Sequence, residues 1–162
     1  MAHLTWGRIE PQDFVAAHDN HRRGASVLFF GIVRDHSEHK RVTHLEYEAY
    51  VRMAEPMLEA LIATANTRWQ LEGVCLVHRL GCVPLGEIAV AIEVSAAHRD
   101  EAYRASRYLI DEIKHGVPIW KKEFYTDGSS EWSLCGHPAH PPHDDELSTS
   151  RAHAPGDHAS PP

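Results

Sequence analysis

The chain has 162 residues, 43% of them hydrophobic, enough for one globular domain with its own core. Net charge is -7, and the stretch from His137 onward holds one arginine against four acids, so the preceding part still carries about -4. That balance disfavours nucleic acid, whose binding depends on neutralising phosphates with a basic surface. No apolar run reaches transmembrane length and the N-terminus has no basic region leading into an apolar core, which makes a cytoplasmic protein the expectation.

In chain order, Pro11 to Ala17 reads as a short helix after a polar start. Ala25 to Val33 is a β-rich run that delivers Arg34 to a strand end, and Ser37 to Arg41 is polar and loop-like. Val42 to Tyr50 alternates, with Leu45, Tyr47 and Ala49 on one face and His44, Glu46 and Glu48 on the other, as a half-buried strand does. Met53 to Thr67 has apolar residues three and four apart and reads as a helix with Pro56 in its first turn. Leu71 to Leu80 and Glu87 to Ala97 are two further strands joined by a loop, Gly81 to Gly86. Arg99 to Lys114 returns to helical period, with Asp100 and Glu101 at the positive end of the helix dipole. Phe124 to Trp132 contains Asp127-Gly128, a hairpin-turn signal. The order, roughly β-β-α-β-β-α-β-β without a glycine-rich phosphate loop, implies an α+β fold with a mainly antiparallel sheet and helices packed against it.

This makes a single domain over residues 1–136. From His137 to Pro162 six prolines and five histidines occur with almost no large apolar side chain, so a disordered tail is expected. His137, His140 and His143 are spaced for adventitious binding of a divalent ion, but the prolines between them prevent a helix from presenting them together, and no functional metal site is assigned. Cys75, Cys82 and Cys135 are odd in number and form no CxxC pair, so they read as buried free thiols.

The segment Lys114-His115-Gly116-Val117-Pro118-Ile119-Trp120-Lys121-Lys122-Glu123 places three lysines around a rigid apolar elbow. Gly116 can end a helix in a left-handed conformation and Pro118 forbids its continuation. Lys114 then stands at a helix end and Lys121 on the next extended segment. Other charged groups fall at element ends too: Arg34 after a strand, and His98-Arg99 where a strand hands over to a helix. Two arginines and two lysines so placed suit a substrate bearing phosphate or carboxylate. Spacing leaves open the plainer alternative, a helix stop followed by a solvated basic strand, with His98 a capping residue and Arg34 a surface ion-pair partner.

The chain resembles the large, catalytic subunit of molybdopterin synthase. The matching pieces are Gly31-Ile32-Val33-Arg34-Asp35-His36, Leu45-Glu46-Tyr47-Glu48-Ala49-Tyr50, His78-Arg79-Leu80-Gly81, Gly86-Glu87, Ala97-His98-Arg99-Asp100-Glu101-Ala102, and Lys114 through Glu123. They come in the family's order and cover roughly Leu4 to Trp132. The resemblance implies that family's α/β hammerhead-like fold and a sulfurtransferase that moves sulfur from the C-terminal thiocarboxylate of a small ubiquitin-like carrier onto cyclic pyranopterin monophosphate. The product is the dithiolene of molybdopterin, a step of molybdenum cofactor biosynthesis. It further implies a homodimer at the centre of a heterotetramer, with the carrier supplied in trans, and no cofactor, metal or nucleotide on this chain.

Lys114 and Lys121 match the family's catalytic lysines, and Arg34, His98 and Arg99 its substrate pocket, with Lys122 a secondary contact. A rival reading is a non-catalytic homologue that binds a carrier protein or a phosphorylated metabolite; a weaker one is a metal-handling protein acting through the tail. Deleting His137 to Pro162 separates the tail from the chemistry. Sulfur transfer by the truncated protein should match that of the full chain, and its loss would overturn the assignment of the chemistry to residues 1–136.

Overall fold

The structure, a computed structural model, describes residues 1–14, 21–37 and 40–134. Among them the elements run β1 (Ala2–Thr5), a 3-10 turn (Pro11–Phe14), β2 (Ala25–Ile32), β3 (His36–Ser37), β4 (Lys40–Ala49), α1 (Val51–Trp69), β5 (Gly73–Arg79), β6 (Gly81–Pro84), β7 (Ile88–Ala96), α2 (Arg99–Gly116), β8 (Ile119–Tyr125) and β9 (Ser130–Leu134). The expected tail from His137, Cys135 and the end of the expected first helix, residues 15–17, lie outside the described residues.

Alternating apolar residues build the first sheet, ordered β1-β5-β7-β2. β7 is antiparallel to both neighbours and buried along its whole length, whereas β1 joins β5 in parallel. Val90, Ile92, Val94 and Ala96 of β7 point to one face, where they meet Leu58 and Ile62 of α1 and Ala105, Leu109 and Ile113 of α2 in one core cluster. Leu58, Ile92 and Leu109 are completely buried, so truncating any of them to alanine would cost about 2–5 kcal/mol. The second sheet runs β3-β4-β8-β9, with β6 also paired to β4. Both sheets are mainly antiparallel and both helices pack on the first, as the α+β reading expects.

Local departures from the sequence reading have physical causes. β1 lies in what reads as a polar start, because its pairing with β5 is a tertiary contact that four residues with His3 and Thr5 do not announce. Residues 37–41 are not a loop throughout: β3 and the start of β4 form a small hairpin there. Gly81–Pro84 likewise forms β6 against β4. α1 begins at Val51, so Pro56 lies inside the helix rather than in its first turn; the bond lost there is the one to the Arg52 carbonyl, on an exposed residue. Cys82 is exposed and Cys75 half-buried.

The helix stop also differs in mechanism. Gly116 is still helical and is not among the positive-φ glycines, which are Gly81, Gly86 and Gly128. Val117 ends α2 with φ -78° and ψ 131°, the extended conformation that a following proline imposes. Pro118 is thus the breaker. The Asp127-Gly128 turn forms as expected, with Gly128 at φ 83° and Asp127 Oδ1 accepting from the Ser129 N–H at 2.8 Å.

His78 on β5 is buried, with its Nδ1 donating to the Arg79 carbonyl at 2.9 Å and its ring edge-on to Tyr47 at 5.0 Å. Burial lowers its pKa to about 4, with the Arg79 hydrogen bond opposing. An unfolded histidine titrates near pH 6.5, so between that pH and about 4 the unfolded chain binds the extra proton. The stabilising contribution is complete above pH 6.5 and disappears as pH falls through that window, about 3 kcal/mol in all. Urea titrations at pH 7 and pH 4.5 should show a loss in the wild type that His78→Gln reduces; equal losses would exclude His78 as the cause.

Candidate functional site

The elbow is fixed from three sides. The Val117 N–H still reaches back to the Ile113 carbonyl at 3.3 Å, the Ile119 N–H bonds the Val117 carbonyl at 2.7 Å, and the Tyr50 N–H bonds the Pro118 carbonyl at 3.1 Å. The last bond ties the turn to the junction of β4 and α1. Lys114 is consequently held in the last turn of α2, exposed, while Lys121 is carried on β8 opposite Tyr47.

On β8, period-two geometry sorts the side chains. Ile119, Lys121, Glu123 and Tyr125 share one face, and Trp120, Lys122 and Phe124 the other. Lys121 is therefore directed inward, 24% exposed, with its Nζ 2.7 Å from Glu123 Oε1. Glu123 is almost completely buried and also accepts from the Tyr125 hydroxyl at 3.2 Å. Burial pushes the Glu123 carboxyl upward, but hydrogen bonds from Lys121 and Ser37 and the Lys121 charge outweigh it, and the net shift is downward. Burial, then the charges of Glu123 and Glu131, push the Tyr125 hydroxyl up to about 12, so it stays a proton donor. Lys40 closes the chain of contacts, pairing with Glu131 and lying 4.5 Å from the Tyr125 ring centre.

Lys122, on the opposite face, stands over the rings of Phe124 and Trp132 at 5.1 and 5.6 Å. Trp120 is on that outer face as well, 40% exposed. Glu123, Tyr125 and Ser37 were not singled out as site residues by sequence reasoning. The signal was present: Ile119-Lys121-Glu123-Tyr125 alternates at period two through the charged run.

Arg34 is exposed just beyond β2, where the Val33 N–H bonds the Glu87 carbonyl at 3.0 Å. His98 is the N-cap of α2 without a side-chain capping bond, and Arg99 is its first residue. Among the described residues Arg34, His98, Arg99 and Lys114 are exposed and make no hydrogen bond or ion pair through their side chains. Three of them are full cations without counter-ions among the described residues, although the sequence carries 23 acids against 16 bases. Such groups suit an anionic ligand.

They do not gather in one place within a chain. Arg99 and Lys114 are fifteen residues apart on one continuous helix, which sets them about 22 Å apart. Only Ala97 and His98 separate β7 from α2, and α2 packs back along β7 and β2. Arg34 and Lys114 therefore share one end of the first sheet, and His98 and Arg99 lie at the other. A cleft of about 210 Å³ between α1 and the end of α2 is lined by Met57, Leu61, Glu112, Gly116 and Val117, and neither lysine lines it.

Glu123→Gln removes the charge that anchors Lys121 and leaves shape nearly unchanged. Urea unfolding at pH 7 should show a loss of about 1.5–3 kcal/mol, the range for a hydrogen bond to a charged group; unchanged stability would mean that Lys121 is not held by this pair.

Residues 4–116 match a family model described as MoaE protein. The chain is 47% identical over 116 residues to a molybdopterin synthase catalytic subunit of Arabidopsis thaliana, an alignment that spans 72% of this chain and 57% of that relative. It is 48% identical over 118 residues to the subunit of the same name from Staphylococcus carnosus, covering 73% of this chain and 77% of that one. Among solved structures, molybdopterin synthase from Staphylococcus aureus superposes with a TM-score of 0.75 at 40% identity, over 83% of this chain and 96% of that chain.

Proposed function

The chain belongs to the MoaE protein family, and from that membership we propose that it is the sulfur-transferring catalytic subunit of a molybdopterin synthase. It moves sulfur from the C-terminal thiocarboxylate of a small ubiquitin-like carrier to cyclic pyranopterin monophosphate, in the cytoplasm, without a cofactor of its own. The observation that carries the reading is the set of exposed cations, Arg34, Arg99 and Lys114, without acidic partners among the described residues of an acidic chain, together with a Lys121 whose charge Glu123 fixes in place.

The chemistry requires positive charge. The carrier's thiocarboxylate sulfur bonds to a side-chain carbon of the pterin as an oxygen substituent leaves that carbon as water or phosphate, and water then adds to the resulting thioester carbon to form a tetrahedral oxyanion. Its collapse breaks the carbon–sulfur bond, leaving sulfur on the pterin and a carboxylate on the carrier. Cations aimed at the oxyanion, away from bulk water, stabilise that state selectively. Lys114, exposed at the helix end, takes the carrier's terminal carbonyl and assists proton transfer. Lys121, with Arg34 and Arg99, holds the pterin and its phosphate; His98 positions the phosphate, and Lys122 offers a contact on the outer face of β8.

The helix length supports a homodimer. With Arg99 about 22 Å from Lys114 in its own chain, one pocket takes its lysines and Arg34 from one copy and His98-Arg99 from the other. A non-catalytic homologue would not need this combination.

Reconstitution with thiocarboxylated carrier and cyclic pyranopterin monophosphate, read as dithiolene formed, tests the assignment. Lys114→Ala and Lys121→Ala should each lower turnover by at least ~10²–10³-fold, as loss of an oxyanion donor does. Mixing Lys114→Ala with Arg99→Ala chains should restore part of the activity, because one of the two sites in a mixed dimer is then intact. Wild-type rates in the lysine variants would refute the catalytic roles, and failure of the mixture to exceed either parent would refute the shared pocket.

A further inference from the structure

We propose that Tyr125 is a positioning residue for sulfur transfer, acting through Glu123 to fix where the Lys121 ammonium stands, on the reading above that Lys121 serves the reaction. Glu131 and Lys40 complete the brace from the other side of the ring.

Lysine and glutamate are both long and flexible, so one contact between them leaves the pair free to swivel. Lys121 meets Glu123 through Oε1, at 2.7 Å. The other oxygen, Oε2, accepts from the Tyr125 hydroxyl at 3.2 Å, and Ser37 of β3 adds a hydrogen bond to the same carboxylate. With both oxygens engaged, the plane of the carboxylate is set, and with it the direction in which Lys121 is drawn. Tyr125 suits that task because its ring is fixed. It is 8% exposed and packs in one cluster with Val42, Leu45 and Val83. Its N–H bonds the Ser129 carbonyl at 2.9 Å across the Asp127-Gly128 turn, and the neighbouring Thr126 N–H bonds the Arg41 carbonyl at 3.0 Å. The hydroxyl is delivered from a rigid core rather than from a loop.

The strand register makes a donor necessary at this point. Glu123 and Glu131 stand directly opposite each other on β8 and β9, and like charges so placed repel. Both nevertheless turn toward one hydroxyl: Glu131 Oε2 is 3.5 Å from the Tyr125 oxygen, against 3.2 Å for Glu123. The shorter link marks Glu123 as the main acceptor of the single phenolic proton. Lys40 takes the remaining oxygen of Glu131 and lies 4.5 Å from the centre of the Tyr125 ring. Ammonium, carboxylate, phenol, carboxylate and ammonium thus follow one another from Lys121 to Lys40, and each carboxylate has a cation on one side and the phenol on the other. Burial, then the two carboxylates, push the Tyr125 hydroxyl up to about 12, so it remains a donor throughout the neutral range. A phenylalanine keeps the packing but leaves Glu123 Oε2 without this donor, facing the charge of Glu131.

A double-mutant cycle of Tyr125→Phe with Lys121→Ala separates positioning from packing, read as turnover in reconstituted sulfur transfer by chains with native circular dichroism. Tyr125→Phe alone should lower turnover by about 10–100-fold, the scale of a misplaced group. In the Lys121→Ala background it should lower turnover no further, because the two residues act as a unit. An equal factor in both backgrounds, or a wild-type rate in Tyr125→Phe, overturns the proposal. Proton exchange followed by NMR gives a readout independent of sulfur transfer. In the wild type the Lys121 ammonium and Tyr125 hydroxyl protons should exchange more slowly than those of the exposed Lys114 and Tyr103, and the Lys121 protection should vanish in Tyr125→Phe. Should that variant misfold, the wild-type spectra decide alone, and exchange at Tyr125 as fast as at Tyr103 overturns the proposal. If Lys121→Ala is slow and Tyr125→Phe is not, only the positioning is wrong. If the wild type forms no product, the sulfur-transfer reading fails, and the exchange spectra still decide whether Tyr125 fixes Lys121.

Discussion

A rigid helix governs the arrangement of this molecule. α2 is continuous from Arg99 to Gly116 and its buried side packs over β7 and β2 through Ala102, Ala105, Leu109 and Ile113. Its two ends cannot approach each other without breaking the core. Lys114 and Arg99 of one chain therefore stay about 22 Å apart. Everything proposed about assembly follows from that fixed distance.

At the lysine end, stability and chemistry are joined by the same few contacts. Pro118 stops α2 by forcing Val117 into an extended conformation, and its carbonyl is tied to the Tyr50 N–H at 3.1 Å. β8 can then start at once and carry Lys121 inward to a buried carboxylate. Lys121 resists reorientation because Glu123 is buried and would be left uncompensated. Lys114 is exposed and has no such anchor among the described residues. One lysine is placed and the other is free to move.

Much of this was legible in the residues, and the rest was hidden for identifiable reasons. Strict alternation gave β4 and β7, and three-four spacing gave both helices, because burial on one face writes itself into the pattern. β1 and β6 escaped because short strands gain their stability from partners distant in sequence. The elbow was legible as a break, although glycine took a role that proline performs. In the candidate site, Lys114, Lys121, Arg34, His98 and Arg99 stand out in the sequence as charged residues at element ends and in the segments that resemble the family. Their division between two ends of the fold follows from fifteen residues of uninterrupted helix, and the helical period showed that length. Glu123 was hidden because a carboxylate beside lysines in sequence looks solvated until the strand register turns it inward.

The central claim is that one working site needs two copies of the chain. It is tested most directly by measuring sulfur transfer per chain as the protein is diluted, with saturating carrier and substrate, alongside the sedimenting species. The account predicts that activity per chain falls in step with the dimer fraction. Constant activity per chain in a solution of monomers would contradict it.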